Sequence, residues 1–161
     1  MNKKFFPLDH LKPILSELQK RNKTIALANG GFDLLHIGHI RYLEAAKKQA
    51  DILVVALNSD RSLRNLKGVN RPIIDEGGRV KMLAALSCVD YVTLFDEDRV
   101  DRVLLTLKPD FHCKGSDYTE ETVPERETVY SYGGRIAIVG GAKVRSTSDI
   151  VRNIKRSDKR E

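Results

Sequence analysis

No stretch of this 161-residue chain approaches the ~20 consecutive apolar residues of a membrane span. At the N-terminus, MNKKFFPLDHLKPIL carries lysines, but Pro7, Asp9, His10 and Lys12 break up its apolar residues. It cannot serve as the apolar core of a signal peptide. Cysteine is scarce. Cys88 and Cys113 stand apart, without metal or redox spacing, which suits a reducing compartment and small core residues. A cytoplasmic protein with no membrane partner is the expectation. Internal repeats, low-complexity tracts and linkers are also lacking. So are two familiar phosphate-binding signatures: no Gly-Lys-Ser/Thr follows a glycine run, which excludes a Walker A loop, and no GxGxxG opens a dinucleotide site. Aromatic residues make up 6% of the chain and form no basic, aromatic-rich stripe of the kind that binds single strands.

What is present is ordinary globular composition, 41% hydrophobic and 31% charged. The length suits a single domain over residues 1–161. The net charge of +6 is uneven: residues 151–161 hold five basic and two acidic side chains, 5 − 2 = +3, or half the excess. A basic tail over 153–161 reads as a solvated helix end. Nucleic-acid binding is not expected, since phosphorylated small molecules account for the rest of the balance.

Short apolar runs alternate with helical periodicity. Leu8, Leu11, Leu15 and Leu18 predict a helix within 8–21, part of an N-terminal segment 1–22, with Pro13 in its first turn. Strands are predicted at 24–30, 51–58, 91–95, 111–115 and 135–139. Helices are predicted from about 38, over 76–87, from an Asp98 cap to Pro109, over 124–132 and from Ser146. The alternation predicts a doubly wound, five-stranded parallel α/β sheet with right-handed crossovers.

Ligands of such sheets bind beyond the carboxyl ends of the strands, so the segments after the strands carry the functional reading. Four of the five, GGFDLLHIGH (30–39), NSDRSLRNLKGVNRP (58–72), KGSDYTEE (114–121) and GGAKVRSTSD (140–149), are rich in glycine, polar or basic residues. Gly30 and Gly31 allow either close approach of a ligand or a turn at positive φ. A helix starting near Gly38 offers free N–H groups to an anion. His36 and His39, three apart across that start, can share a face and stabilise phosphate charge that grows during a reaction. Zinc pairs on helices favour a spacing of four and need further ligands, so no metal site of the protein's own is expected. Asp33 either bonds the turn that shapes the glycine loop or contacts sugar or metal. Ser146 and Asp149 form a capping pattern. Asp60 and the acidic FDED turn (95–98) read as caps, and Arg71 and Arg79 read as surface ion-pair residues, Arg71 being the better phosphate candidate.

Phe32, Asp33, His36, Gly38 and His39, within GGFDLLHIGH, resemble the G-x-F-D-x-x-H-x-G-H motif of the nucleotidyltransferase superfamily. Over residues 22–152 the segments NSDRSLRNLKGVNRPI, RVKMLAALSCVDYV, FDED, KGSDYTEE, YGGRI and STSDI are similar to the adenylyltransferase family that joins ATP to D-glycero-β-D-manno-heptose 1-phosphate. The resemblance implies that His36 and His39 bind the α-phosphate of ATP, with the backbone of Gly31 and Phe32 beside it. It places Gly115 and Asp117 near the adenosine. Ser146 and Thr147 would start a helix that receives the β- and γ-phosphates, and Lys67, in a loop, would hold charge between the two substrates. Lys67 and Arg71 would grip the sugar phosphate, and Asp33 and Asn58 would reach sugar hydroxyls. Mg²⁺ carried by the ATP phosphates, no protein nucleophile, a homo-oligomer and a free-standing domain not fused to a sugar kinase are further implications. Three departures stand out. Gly31 replaces a frequent cysteine or threonine, with little effect expected. Lys143 and Arg145 stand in for an arginine before the Ser-Thr pair, and Ser-Thr-Ser replaces Ser-Thr-Thr. The rival readings are a glycerol-3-phosphate cytidylyltransferase or another member of the superfamily, a nucleotide-binding module without turnover, and an RNA-binding protein with a steep salt dependence.

Overall fold

The computed structural model describes residues 3–142 and 146–157. Five strands, β1 (Ile25–Gly30), β2 (Ile52–Asn58), β3 (Tyr91–Phe95), β4 (Phe111–Gly115) and β5 (Arg135–Val139), form one sheet in the order β3-β2-β1-β4-β5. Every pairing is parallel. The chain winds outward from β1 to β3, then crosses to β4, so β1 and β4 flank the topological switch point where such sheets bind ligands.

Among the described residues seven α-helices precede, connect or follow the strands: α1 (Leu8–Lys20), α2 (Ile37–Lys47), α3 (Asp60–Lys67), α4 (Glu76–Ala85), α5 (Asp101–Leu107), α6 (Arg126–Ser131) and α7 (Thr147–Ser157). One core packs Leu43 and Ala46 of α2 and Val80, Leu83 and Ala84 of α4 on one face of the sheet. The other packs Leu8, Leu11 and Leu15 of α1, Val103, Leu104 and Leu107 of α5 and Val129 of α6 on the opposite face. Burial on both faces explains why Ile25, Ala26, Leu27 and Ala28 all have zero exposure and why the strand reads as a continuous apolar run. The outer edge of β3 is met by the N-terminal segment: the Val92 N–H donates to the Lys4 carbonyl at 2.8 Å and the Phe6 N–H to the Val92 carbonyl at 3.0 Å.

The doubly wound parallel sheet expected from the sequence is the fold observed. Several details differ. Pro13 lies inside α1, which starts at Leu8 after a Pro7 cap. Its position is the second turn, on the exposed side. Residues 60–67, expected as loop, form α3, capped by the Ser59 side chain. Asp60 therefore does not cap; it pairs with Arg79 at 2.7 Å. Asp98 does not cap α5 either, because that helix starts at Asp101 after Val100. The FDED turn instead uses Glu97, whose carboxylate accepts from Arg102 at 3.0 Å. The last helix has the expected box: the Asp149 N–H donates to Ser146 Oγ at 3.1 Å, and the Ser146 N–H to Asp149 Oδ2 at 3.0 Å. The tail expected over 153–161 is, as far as residue 157, the exposed last part of α7; residues 158–161 lie outside the described residues. Among the described residues no helix is long and apolar enough to cross a membrane.

Candidate active site

Two adjoining cavities open at the carboxyl edge of the sheet. The larger, about 260 Å³, lies where α2, the β4 and β5 ends and the start of α7 meet, and its walls include His36, His39, Gly115, Asp117 and Ser146. The smaller, about 160 Å³, is lined by residues 29–33 at the end of β1 together with Leu63 of α3. His39, Tyr42, Lys67 and Thr147 belong to both. Of the expected site residues, the structure thus brings His36, Gly38, His39, Lys67, Gly115, Asp117, Ser146 and Thr147 to the first cavity and Gly31, Phe32 and Asp33 to the second. Lys67 is the last residue of α3, not a loop residue.

The two histidine rings stack, with centroids 3.8 Å apart and planes at 24°. His36 is the N-cap of α2, and its Nδ1 accepts from the Gly38 N–H at 3.1 Å. That bond leaves the proton of the neutral imidazole on Nε2. It also occupies one of the helix-start amides expected to face an anion, so Gly38 shapes the site by fixing His36. Burial drives the His39 pKa down to about 4, helped by the neighbouring His36 and Lys67 and opposed by the Leu34 carbonyl. His39 is therefore neutral at pH 7. Phe32 packs edge-on against His39, with centroids 5.2 Å apart. Thr147 Oγ1 reaches the Leu34 carbonyl at 3.4 Å, joining α7 to the same turn.

Positive φ in this turn falls on Phe32 (44°), not on Gly30 or Gly31. Gly31 is small for a different reason. A Cβ there would stand 2.7 Å from Leu63 Cδ1, and Leu63 is only 2% exposed. A larger residue there presses on the Leu63 side chain, which must shift to admit it.

Asp33 is 5% exposed and accepts from the Ile73 N–H at 2.9 Å, the Ile74 N–H at 3.0 Å and Arg71 Nη1 at 2.9 Å. Burial opposes its charge, but these two amides and the guanidinium outweigh it and hold the carboxyl below the usual range. It clasps the segment before α4, so its oxygens are committed to the fold. Arg71 is committed with it and lines neither cavity. Asn58 lines neither as well; it is buried, and its Nδ2 donates to Ser62 Oγ at 2.9 Å. Asn58, expected to reach a sugar hydroxyl, is thus turned to Ser62 of α3. Lys143 and Arg145 lie outside the described residues.

Sequence reasoning missed Arg41, Tyr42 and Ser116 in the walls and the support beneath them. Arg79 has zero exposure. It donates to the carbonyls of Gly31 (2.7 Å), Asn58 (2.8 Å) and Ile74 (3.0 Å) and to Asp60 Oδ1 (2.7 Å). It is no surface ion-pair residue but the tie between the ends of β1 and β2 and the starts of α3 and α4. Its position four residues before Leu83 places it on the buried stripe of α4, a signal present in the sequence. Among the described residues, no three His, Cys, Asp or Glu side chains group in a way that could hold a metal ion.

A parallel sheet with two joined cavities at its switch point, stacked imidazoles on one wall and a lysine on the shared wall has the layout of a nucleotidyltransferase site. A family model described as cytidylyltransferase-like matches residues 27–153, and the chain belongs to that family. It is 50% identical over 150 residues to the bifunctional protein HldE of Geobacter metallireducens, covering 93% of this chain and 31% of that protein. To the bifunctional protein HldE of Syntrophotalea carbinolica it is 48% identical over 146 residues, covering 91% and 30%. The chain thus spans about 30% of the length of these relatives. Among solved structures, the lipopolysaccharide core biosynthesis protein of Thermoplasma volcanium matches with a TM-score of 0.63 and 32% identity, over 76% of this chain and 99% of that one. Pantothenate synthetase of Thermus thermophilus shares the fold, with a TM-score of 0.59 at 16% identity, over 89% of this chain and 63% of that one.

Proposed function

We propose that the protein transfers AMP from ATP to D-glycero-β-D-manno-heptose 1-phosphate, giving ADP-heptose and pyrophosphate for lipopolysaccharide assembly. The observation that carries this reading is the pair of cavities sharing His39, Tyr42, Lys67 and Thr147. One holds the nucleotide, the other the acceptor, and the α-phosphorus sits at the shared wall. An oxygen of the sugar phosphate attacks that phosphorus in line while the bond to the bridging oxygen of pyrophosphate breaks. The attacking group is already anionic at neutral pH, so no side chain takes a proton from it. Catalysis is positioning and charge neutralisation.

In this reading His36 donates from Nε2 to an α-phosphate oxygen, because its Nδ1 is committed to Gly38. His39 lies face to face with it, neutral until the phosphate charge arrives. Lys67 neutralises charge passing between the substrates, and Arg41, on the first cavity's wall, faces the leaving pyrophosphate. Gly115 and Asp117 border the adenosine, and the Thr147 end of α7 receives the outer phosphates. The carboxylate on the first cavity's wall is Asp117. Magnesium would enter on the triphosphate oxygens, where it would neutralise charge, while Asp117 stays with the adenosine. We read the protein as cytoplasmic and homo-oligomeric, the latter to be checked by sedimentation.

The deciding experiment is pyrophosphate release across four nucleoside triphosphates and a panel of sugar and polyol phosphates. ATP with the heptose phosphate should lead. CTP with glycerol 3-phosphate as the better pair would remove the heptose assignment and leave the family intact.

A further inference from the structure

Asn29, next to last in β1, lines the smaller cavity. Its Oδ1 lies 3.3 Å from Nζ of Lys114. An ammonium group only donates, so the oxygen of the amide must face the lysine and the NH₂ is what Asn29 can offer elsewhere. Register brings the two residues together: Ala28 pairs with Cys113, and Asn29 and Lys114 are the next position on the two central strands.

The lysine is itself held. It is 8% exposed, and Glu125, 5% exposed, lies 3.7 Å from it. The ring of Tyr118 lies beneath its ammonium at 4.7 Å. Glu125 also meets Nε2 of the fully buried His112 at 3.4 Å. Burying a cation and a carboxylate inside a sheet costs free energy that well-packed apolar side chains avoid. Here the pair ends on a neutral amide in a ligand cavity. The two polar side chains expected to reach the acceptor are committed elsewhere, Asp33 to the segment before α4 and Asn58 to Ser62.

We propose that Asn29 is a specificity-determining residue for the acceptor, its NH₂ donating to a hydroxyl oxygen of the sugar phosphate, and that Lys114 is the positioning residue that fixes the amide in that orientation. This rests on the reading that the smaller cavity takes the acceptor. A ligand lacking that hydroxyl leaves the amide N–H unpaired in the cavity, which is how such sites reject it. An acceptor without hydroxyls in that position gains nothing from Asn29.

The test is equilibrium binding of heptose 1-phosphate, and separately of ATP, to wild type and to Asn29→Leu, Asn29→Asp and Lys114→Met, with thermal melting as a control for folding. Asn29→Asp keeps a partner for Lys114 while exchanging the donor for an anionic acceptor. It should weaken the sugar phosphate by roughly 100-fold, Asn29→Leu by roughly 10-fold, and neither should change ATP affinity more than about threefold. Lys114→Met should follow Asn29→Leu if it folds; Asn29→Asp decides the matter if it does not. Equal losses for both ligands, or no loss for the sugar phosphate, overturn the inference. A wild type that binds the sugar phosphate but releases no pyrophosphate with ATP overturns only the reaction proposed above. A wild type that binds no sugar phosphate overturns both.

Discussion

Nη1 of Arg79 donates to the carbonyl oxygen of Gly31 at 2.7 Å, so a side chain without exposed surface on α4 holds the turn that carries Phe32 and Asp33. A trans peptide points its N–H opposite to its carbonyl. With the Gly31 oxygen drawn inward to Arg79, the Phe32 N–H is directed away from the guanidinium.

Replacing Arg79 with leucine should therefore cost about 3 kcal/mol of stability, since three carbonyls lose a charged donor and Asp60 loses its partner. Urea unfolding measures this. Arg79→Lys keeps the charge but cannot reach four acceptors on separate segments, and should recover only part of the loss. An Arg79→Leu midpoint equal to wild type would show that the four contacts contribute nothing.

For His39→Ala, kcat should fall roughly 10²–10³-fold with the KM for ATP changed only a few-fold, the pattern of a group that acts mainly on the transition state. Steady-state pyrophosphate release reads both constants. Near-normal turnover would remove His39 from the chemistry.

Lys67 lines both cavities, which makes its effect different from that of a residue serving the acceptor alone. Lys67→Ala should weaken the sugar phosphate most, and should also lower kcat, because the charge it meets lies between the substrates. A change confined to ATP binding would contradict its place on the shared wall.

Stability should fall on mild acidification. His39 is held at about 4 against an ordinary 6.5, and burial lowers His112 as well, despite Glu125. Between those limits the unfolded chain binds protons that the native chain refuses, so native stability drops as pH falls from about 6.5 toward 4. His39 alone should account for about 1–2 kcal/mol by pH 5. Urea midpoints at pH 7 and pH 5 measure the slope, and His39→Gln should flatten it. An unchanged slope in that variant would refute the assignment.

The central strands were legible because both sheet faces are covered there: TIALA and ILVVAL need no partner to be read as buried strands, whereas RIAIV, at the sheet edge with Ile138 40% exposed, was legible from its apolar run alone. The histidine turn was legible from its spacing. The third helix was not. DRSLRNLK has two apolar residues in eight, and its helix depends on Leu63 packing against Gly31, a contact 32 positions apart in the sequence. Arg79 was read as a surface residue because arginine rarely loses all exposure; only its place on the Val80–Leu83 stripe hinted otherwise. Asn29 and Lys114 are polar residues at the ends of apolar strands, and nothing local shows that their strands are neighbours. Asp33 was read as half committed to its own turn, whereas it clasps a segment some 40 residues on.

The contact between Gly31 and Leu63 makes residue 31 a spacer for a charge it never touches. Leu63 and Lys67 lie one helical turn apart on the same side of α3, so a methyl group added at 31 would press on the Leu63 side chain, one turn from the ammonium on the shared wall. Swaps at 31 therefore test whether Lys67 depends on that packing without altering any polar group, and a bulkier residue there should be tolerated best when position 63 shrinks to match. Gly31→Ala paired with Leu63→Val should restore the fit that Gly31→Ala alone disturbs.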